Sequence, residues 1–143
     1  YVHELLKIHD INSDHIAIRT SRYTGIDQAE SVVKVFNLGY LAERVKPESK
    51  VLLVDDVFDT GISIAGVFEA FKKRFGDNMP EDIRVATVHY KPERNQTDRK
   101  PEYYVNETNQ WIVYPHELEG LTKDELCEML GNQLANSIIP GNK

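Results

Sequence analysis

The sequence is poor in cysteine and in long apolar runs. Cys127 is the only cysteine among 143 residues, which excludes an internal disulfide and any metal site built from several cysteines. No apolar run approaches the roughly 20 residues that a membrane-spanning helix needs, and no signal peptide is visible. We therefore expect a cytoplasmic protein without a membrane partner.

Basic residues are also fewer than acidic residues. The 17 Lys and Arg residues stand against 23 Asp and Glu, for a net charge of −6 at pH 7. Because nucleic acids and anionic membranes attract basic surfaces, this balance argues against both as partners. A local cluster of donors can still bind a small anion. The length and the 41% hydrophobic content indicate one ordinary globular domain over residues 1–143.

The most informative stretch covers residues 51–63 and reads VLLVDDVFDTGIS. Its first four residues are apolar and predict a strand buried on both faces, as in parallel sheets. Asp55 and Asp56 follow directly, at the strand end where open α/β sheets bind their ligands. The stretch therefore places two carboxylates at a candidate binding edge.

A turn and a helix come next. Asp59 leads into Thr60-Gly61-Ile62-Ser63, and apolar residues then recur at helical spacing. The turn thus lies at a helix N-terminus, where free backbone N–H groups, two hydroxyls and the positive end of the helix dipole can hold one phosphate. Carboxylates beside a phosphate cradle suggest a sugar phosphate ligand. The plainer interpretation is a solvated strand end with Asp59 capping the helix.

The whole string resembles the phosphoribosyl pyrophosphate (PRPP) signature of the type I phosphoribosyltransferases. That signature joins an apolar strand, an acidic pair, two variable residues, Asp-Thr-Gly, one variable residue and Ser or Thr, and every fixed position is filled here. Response-regulator receiver domains also have a strand that ends in an acidic pair. They need a further helix and strand before their phosphoacceptor, whereas Asp77 follows the first helix directly. The spacing rejects that alternative.

The rest of the chain alternates predicted strands and helices, which favours an α/β sheet. Strands are predicted at residues 15–20, 83–90, 103–105 and 111–114, and an extended segment at 31–38 enters a hairpin at Gly39. Helices are predicted at residues 1–7, after Ser63 as far as a C-cap at Gly76, and after a Thr122-x-x-Glu125 capping box. Residues 24–27 are predicted as a turn or mobile loop and residues 93–101 as a polar surface loop.

A second region resembles the base-binding part of the purine phosphoribosyltransferases. Alone, Lys91 at a strand end is usually a solvated charge, and the single tryptophan, Trp111, is usually a core aromatic. Residues 91–92, 102–105 and 110–117 together resemble the purine enzymes, in which a lysine donates to the 6-oxo group and an aromatic residue stacks on the ring. The resemblance gives these roles to Lys91 and Trp111, and contact with the 2-position to the backbone of Ile112. The role of Glu117 stays open.

The resemblance also implies a fold and a reaction. The fold is a central, mostly parallel sheet flanked by helices, with a small base-binding hood and a C-terminal helical extension at residues 118–143. The reaction is displacement of pyrophosphate from C1 of PRPP by a nitrogen of hypoxanthine, guanine or xanthine, with Mg²⁺ as cofactor. Asp55 and Asp56 would hold the ribose hydroxyls, with Asp56 also a metal ligand. Asp59 would accept the N7 proton as the catalytic base, and residues 60–63 would bind the 5-phosphate.

Some family features are missing or open. These enzymes hold pyrophosphate on a glycine-containing loop before their first helix, and no such sequence precedes Tyr1, so we expect residues 1–7 to be the remainder of that helix. Two function classes stay open: a purine salvage enzyme, and a non-catalytic PRPP- or nucleotide-binding regulatory module. Lys91 and Trp111 oppose a third, transfer to another nitrogenous base. The C-terminal helix suggests a homodimer.

Overall fold

The computed structural model describes residues 1–23, 32–114, 118 and 121–138. The chain divides into two compact units, Tyr1–Asn109 and Gln110–Lys143. The organisation of residues 1–143 as a single domain stays a prediction. None of the helices in the described part of the chain has both the length and the apolar character of a membrane span.

The elements of the first unit alternate between strands and helices. In chain order they are α1 Val2–Ile8, β1 Arg19–Tyr23, β2 Val32–Phe36, α2 Leu38–Arg44, β3 Lys50–Phe58, α3 Ile62–Phe75, β4 Asp82–Tyr90 and β5 Tyr103–Glu107. Short 3₁₀ turns follow α3 at Gly76–Asn78 and β4 at Pro92–Arg94. The second unit contains α4 Lys123–Leu130 and α5 Asn132–Ile138.

Strands β3, β4 and β5 form a parallel sheet in that order. Leu53 lies opposite Val85 and Phe58 lies opposite Tyr90, so β3 and β4 end at the same edge. Strands β1 and β2 form a separate antiparallel pair. The predicted α/β class with a parallel sheet is confirmed.

Helix α3 is fixed to the sheet by an apolar stripe. The rings of Phe71 and Phe75 meet edge to face with centroids 5.1 Å apart. Each large apolar side chain that is buried contributes roughly 1.5–3 kcal/mol, so the helix and the turn at its N-terminus hold a defined position. The buried residues of the stripe, in one core with Leu53 and Val85, are Ile64, Val67, Phe71 and Phe75.

Strand β3 differs from its prediction in two ways. It continues to Phe58, so Asp55 and Asp56 lie within the strand rather than after it. It is also not buried on both faces, because Leu52 and Val54 are 39% and 54% exposed. Four consecutive apolar residues carry no alternation, and the sequence therefore could not show that one face of this strand stays open.

Several predicted element boundaries need correction. The first strand is at Arg19–Tyr23 rather than at residues 15–20. Residues 111–114 form no strand. Gly39 lies inside α2 rather than in a hairpin, since the chain turns into a helix directly after β2. The first helix and the C-cap at Gly76 are confirmed.

In the second unit, the start of the first helix agrees with the prediction, but the number of helices does not. The Thr122 hydroxyl accepts from the backbone N–H of Glu125, and the Glu125 carboxylate accepts from the N–H of Thr122, which confirms the capping box. The helix ends at Gly131, whose φ of +81° cannot continue an α-helix. The single predicted helix is therefore two, because the apolar spacing continues across a glycine that breaks the backbone.

Helix α3 approaches β2 closely at Gly66. A Cβ placed on Gly66 would collide with the side chain of Val33 in β2. Because Gly66 has no side chain, the helix can contact the β1–β2 pair.

This contact predicts an unusual response to alanine. Gly39→Ala in α2, where a Cβ meets nothing within 4 Å, is expected to stabilise the protein by up to about 1 kcal/mol, as alanine ordinarily does in helices. Gly66→Ala is expected to lower the free energy of unfolding by about 1–3 kcal/mol, because its methyl group overpacks against Val33. Urea unfolding followed by circular dichroism measures both. Equal stabilisation by the two variants would contradict the close contact.

Candidate active site

A cleft of about 200 Å³ lies where β3 leads into α3. The cleft brings together the predicted acidic residues and all but one of the predicted phosphate-binding residues. The exception is Ile62, which is the first residue of α3. The lining residues are Asp55, Asp56, Val57, Phe58, Asp59, Thr60, Gly61, Ser63 and Ile64.

Gly61 shapes the turn at the start of α3. Its φ is +75°, a left-handed conformation that favours glycine. A Cβ here would lie 2.6 Å from Oγ1 of Thr97 and 2.7 Å from a ring carbon of Phe58, so space as well as conformation requires glycine. The N-cap of α3 is Gly61, and the Thr60 hydroxyl accepts from the N–H of Ile62 at 3.5 Å, so the interpretation of Asp59 as the helix cap is wrong. The first N–H groups of a helix lack intrahelical acceptors and can bind an anion.

Asp59 accepts hydrogen bonds from two cations. Lys91 Nζ donates to Oδ2 at 3.2 Å, and Arg94 Nε donates to Oδ1 at 2.5 Å. The Lys91 side chain is 4% exposed, whereas that of Arg94 is 51% exposed. Lys91 is therefore a buried charge rather than the solvated one that its position alone suggests. A buried ammonium needs a close anion, and Asp59 supplies it.

The carboxyls of Asp59 and Asp55 titrate in opposite directions. Partial burial by itself raises the pKa of Asp59, but hydrogen bonds from Arg94 and Lys91 outweigh burial and lower the pKa below the usual 3.8. Asp55 keeps some exposed surface, yet desolvation of its carboxyl raises its pKa against the hydrogen bond that the Asp56 N–H donates to Oδ1 at 3.1 Å. Asp59 thus holds its negative charge more firmly than Asp55.

Backbone hydrogen bonds join the segment after β4 to the turn after β3. The N–H of Lys91 donates to the carbonyl of Phe58 at 2.9 Å, and the N–H of Gln96 donates to the carbonyl of Thr60 at 3.0 Å. These bonds run beside the ion pairs of Asp59. The ends of the two strands are therefore held together by main-chain and side-chain interactions.

Asn95 fixes the same segment internally. Its Oδ1 accepts from the N–H and the hydroxyl of Thr97 at 3.0 and 2.9 Å, and its Nδ2 donates to the carbonyl of Arg99 at 2.8 Å. The guanidinium of Arg99 lies 3.6 Å from the ring centroid of Phe68 in α3. Residues 93–101 form a loop, as predicted, but one that is packed against the site.

Arg94 and Asn95 are the site residues that sequence reasoning missed. A signal for Arg94 was present, because a basic residue follows Lys91-Pro92 by two positions and a proline favours a tight first turn. That turn is the 3₁₀ turn Pro92–Arg94, which brings both cations to one carboxylate. No local pattern revealed that the acceptor would be Asp59.

Other predicted residues are not tested by this cleft. Trp111 and Ile112 belong to the second unit, Gln110–Lys143, and Trp111 is 78% exposed. Their roles in binding a base stay predictions. Glu117 and the predicted loop at residues 24–27 lie outside the described residues.

The cleft suits a metal ion that is held partly by the protein and partly by a bound substrate. Within the described ranges, no three His, Cys, Asp or Glu side chains cluster as a metal site. Asp55 and Asp56 both line the cleft. Mg²⁺ commonly takes one or two carboxylates and completes its shell with water and substrate phosphates. Asp56 at the cleft fits such a single-carboxylate site.

The two carboxylates are expected to change stability in opposite directions. Asp59→Asn should lower the free energy of unfolding at pH 7 by about 1–2 kcal/mol, because it removes the anion that Lys91 contacts. Asp55→Asn should raise the free energy of unfolding, because it removes a desolvated charge. Urea unfolding at pH 7 measures both, and an Asp59→Asn variant as stable as wild type would contradict the ion-pair description.

The loss in Asp59→Asn should also depend on pH. Because the folded pKa of Asp59 lies below the unfolded value of 3.8, its stabilisation is complete above about pH 4 to 5 and disappears as pH falls through the folded pKa. The gap between wild type and Asp59→Asn should therefore narrow under strongly acidic conditions. A gap that widens with acidity would show that the pKa is raised instead.

Comparisons with known proteins match the part of the chain that contains this site. The family model described as phosphoribosyl transferase domain matches residues 10–119. The chain is similar to the purine phosphoribosyltransferase from Pyrococcus horikoshii, with 33% identity over 73% of this chain and 62% of that one, and a TM-score of 0.55. It thus spans less than two thirds of that protein. No curated protein sequence matches it.

Two more distant structures share the fold. The hypoxanthine phosphoribosyltransferase from Trypanosoma cruzi, in complex with the product IMP, is 15% identical over 82% of this chain and 61% of that one, with a TM-score of 0.56. A hypothetical protein from Neisseria gonorrhoeae with bound ppGpp is 22% identical over 84% of this chain and 64% of that one, with a TM-score of 0.53. At these identities the likeness concerns the fold alone, and the predicted fold class is confirmed.

Proposed function

Since the chain belongs to the phosphoribosyl transferase domain family, we propose that it transfers the ribose 5-phosphate of PRPP to a 6-oxopurine in purine salvage. The products are the nucleoside monophosphate and pyrophosphate. The observation that carries this proposal is the pairing of Lys91 with Asp59, 3.2 Å apart, at the common end of β3 and β4.

The pair suits one edge of a purine. The 6-oxo oxygen and N7 are neighbouring atoms on that edge. An ammonium donates to the oxo oxygen, and a carboxylate accepts a proton from N7. Because Lys91 is buried, adenine would leave its ammonium facing a 6-amino group that offers no acceptor. The site therefore favours hypoxanthine, guanine or xanthine over adenine.

The turn at the start of α3 suits ribose 5-phosphate. The first-turn N–H groups of α3 and the hydroxyls of Thr60 and Ser63 would bind the phosphate. Anchoring the phosphate fixes the ribose and lowers the entropic part of the barrier. Asp55 and Asp56 would accept hydrogen bonds from the ribose hydroxyls, and their charge favours a ribosyl centre that turns cationic.

Asp59 would accept the N7 proton of the base. Once Lys91 donates to the base, Oδ2 of Asp59 is open to the N7 proton, a general-base role worth roughly 10² to 10⁴ in rate. Mg²⁺ held by Asp56 and by oxygens of PRPP would supply positive charge beside the pyrophosphate leaving group. Stacking by Trp111, contact of Ile112 with the 2-position, a cytoplasmic location and a homodimer stay predictions.

A second candidate is a non-catalytic module that binds PRPP or a nucleotide. It is favoured by the two cations on Asp59, which lower the pKa of that carboxyl and make it a weak base as it stands. The similar Neisseria gonorrhoeae protein holds the nucleotide ppGpp. The two candidates differ in turnover, since only the enzyme forms a nucleotide.

Turnover is measured with Mg-PRPP and, separately, hypoxanthine, guanine, xanthine and adenine. We expect nucleotide from at least one 6-oxopurine and little from adenine. Asp59→Asn should lower kcat roughly 10² to 10⁴-fold, whereas Asp77→Asn, which removes an exposed carboxylate outside the cleft, should retain activity. Binding of PRPP or a nucleotide without product from any base would favour the second candidate.

Discrimination between bases tests the role of Lys91. Lys91→Met keeps much of the side-chain volume but removes the donor, so kcat/KM for the 6-oxopurine should fall about 10²-fold while that for adenine changes little. Lys100→Met, at an exposed lysine of the same segment, is the matched control. An unchanged ratio between 6-oxopurine and adenine in Lys91→Met would refute the assignment.

A further inference from the structure

The two cations occupy different oxygens of Asp59. Lys91 Nζ lies on Oδ2 at 3.2 Å and Arg94 Nε on Oδ1 at 2.5 Å. Either hydrogen bond can therefore break without displacing the other. The pairing is asymmetric in a second respect, because Lys91 is buried and Arg94 is half exposed.

This arrangement bears on how Lys91 reaches a ligand. In the structure the ammonium of Lys91 contacts Asp59, and it must turn from Oδ2 toward the 6-oxo oxygen of a base. If Lys91 alone balanced Asp59, that movement would leave the Asp59 carboxylate, whose side chain is 28% exposed, without a counter-charge, which is unfavourable. With Arg94 on Oδ1, Asp59 stays paired throughout and Oδ2 becomes open.

The backbone around Arg94 is fixed independently of its side chain. The N–H of Arg94 donates to the carbonyl of Lys91 at 3.2 Å, and the N–H of Glu93 donates to Oδ1 of Asn109 at 3.1 Å. The Gln96 hydrogen bond to Thr60 holds the next part of the segment. Removing the guanidinium should therefore leave the segment in place and change only the pairing of Asp59.

We propose that Arg94 is a positioning residue, which holds Asp59 through Oδ1 so that Lys91 can exchange Oδ2 for the 6-oxo oxygen of the incoming purine. This inference rests on the proposed function and deepens it. It assigns Arg94 to the recognition of the base rather than of PRPP, although the Arg94 side chain contacts Asp59 and need not touch either substrate.

Steady-state kinetics of Arg94→Ala with the preferred 6-oxopurine tests the inference. The KM for the base should rise about tenfold or more, the size expected for loss of a charge-assisted hydrogen bond, while the KM for PRPP stays within about twofold of wild type. Arg94→Lys should recover part of the loss, because an ammonium can still pair with Oδ1. Lys100→Ala removes an exposed cation six residues further on and should match wild type.

The possible failures are distinguishable. Suppose that wild type forms nucleotide and that Arg94→Ala either has wild-type KM values or raises the KM for the base and the KM for PRPP by the same factor. The inference is then overturned and the proposed function stands. If wild type neither forms nucleotide nor binds any 6-oxopurine, the proposed function is overturned and the inference with it. Thermal unfolding of each variant shows that a raised KM does not come from an unfolded fraction.

Discussion

The candidate site depends on one carboxylate that two cations share. Asp59 lies on the turn after β3, whereas Lys91 and Arg94 lie on the segment after β4, so these ion pairs join the ends of neighbouring strands. Burying Lys91 carries a desolvation cost that only close pairing offsets. The buried ammonium therefore depends on the carboxylate that it contacts.

The packing of α3 fixes the position of the residues that form this pairing. Helix α3 is anchored by its buried stripe and approaches β2 at Gly66, where a Cβ would collide with Val33. The turn into the same helix contains Gly61, whose Cα lies close to the ring of Phe58 and the hydroxyl of Thr97. The proposed phosphate-binding groups at the start of α3 and the proposed base-binding Lys91 after β4 are thereby held at a defined separation, as catalysis by positioning requires.

Much of this site could be predicted from local sequence. The β3–α3 junction, the parallel partner β4 and the capping box each follow from patterns a few residues long. Two of the features that escaped prediction are non-local. Arg94 lies 35 residues from Asp59, and no periodicity links them. The open face at Leu52 and Val54 depends on which elements cover the sheet, and the break at Gly131 depends on a backbone angle that the apolar spacing does not report.

A crystal structure of the protein with IMP and Mg²⁺ tests the central claim most directly. We expect the phosphate on the first turn of α3, Lys91 Nζ within hydrogen-bond distance of the 6-oxo oxygen, and Asp59 facing N7 while still paired with Arg94. A nucleotide bound away from this cleft would contradict the account. So would a purine in the cleft whose 6-oxo oxygen makes no contact with Lys91.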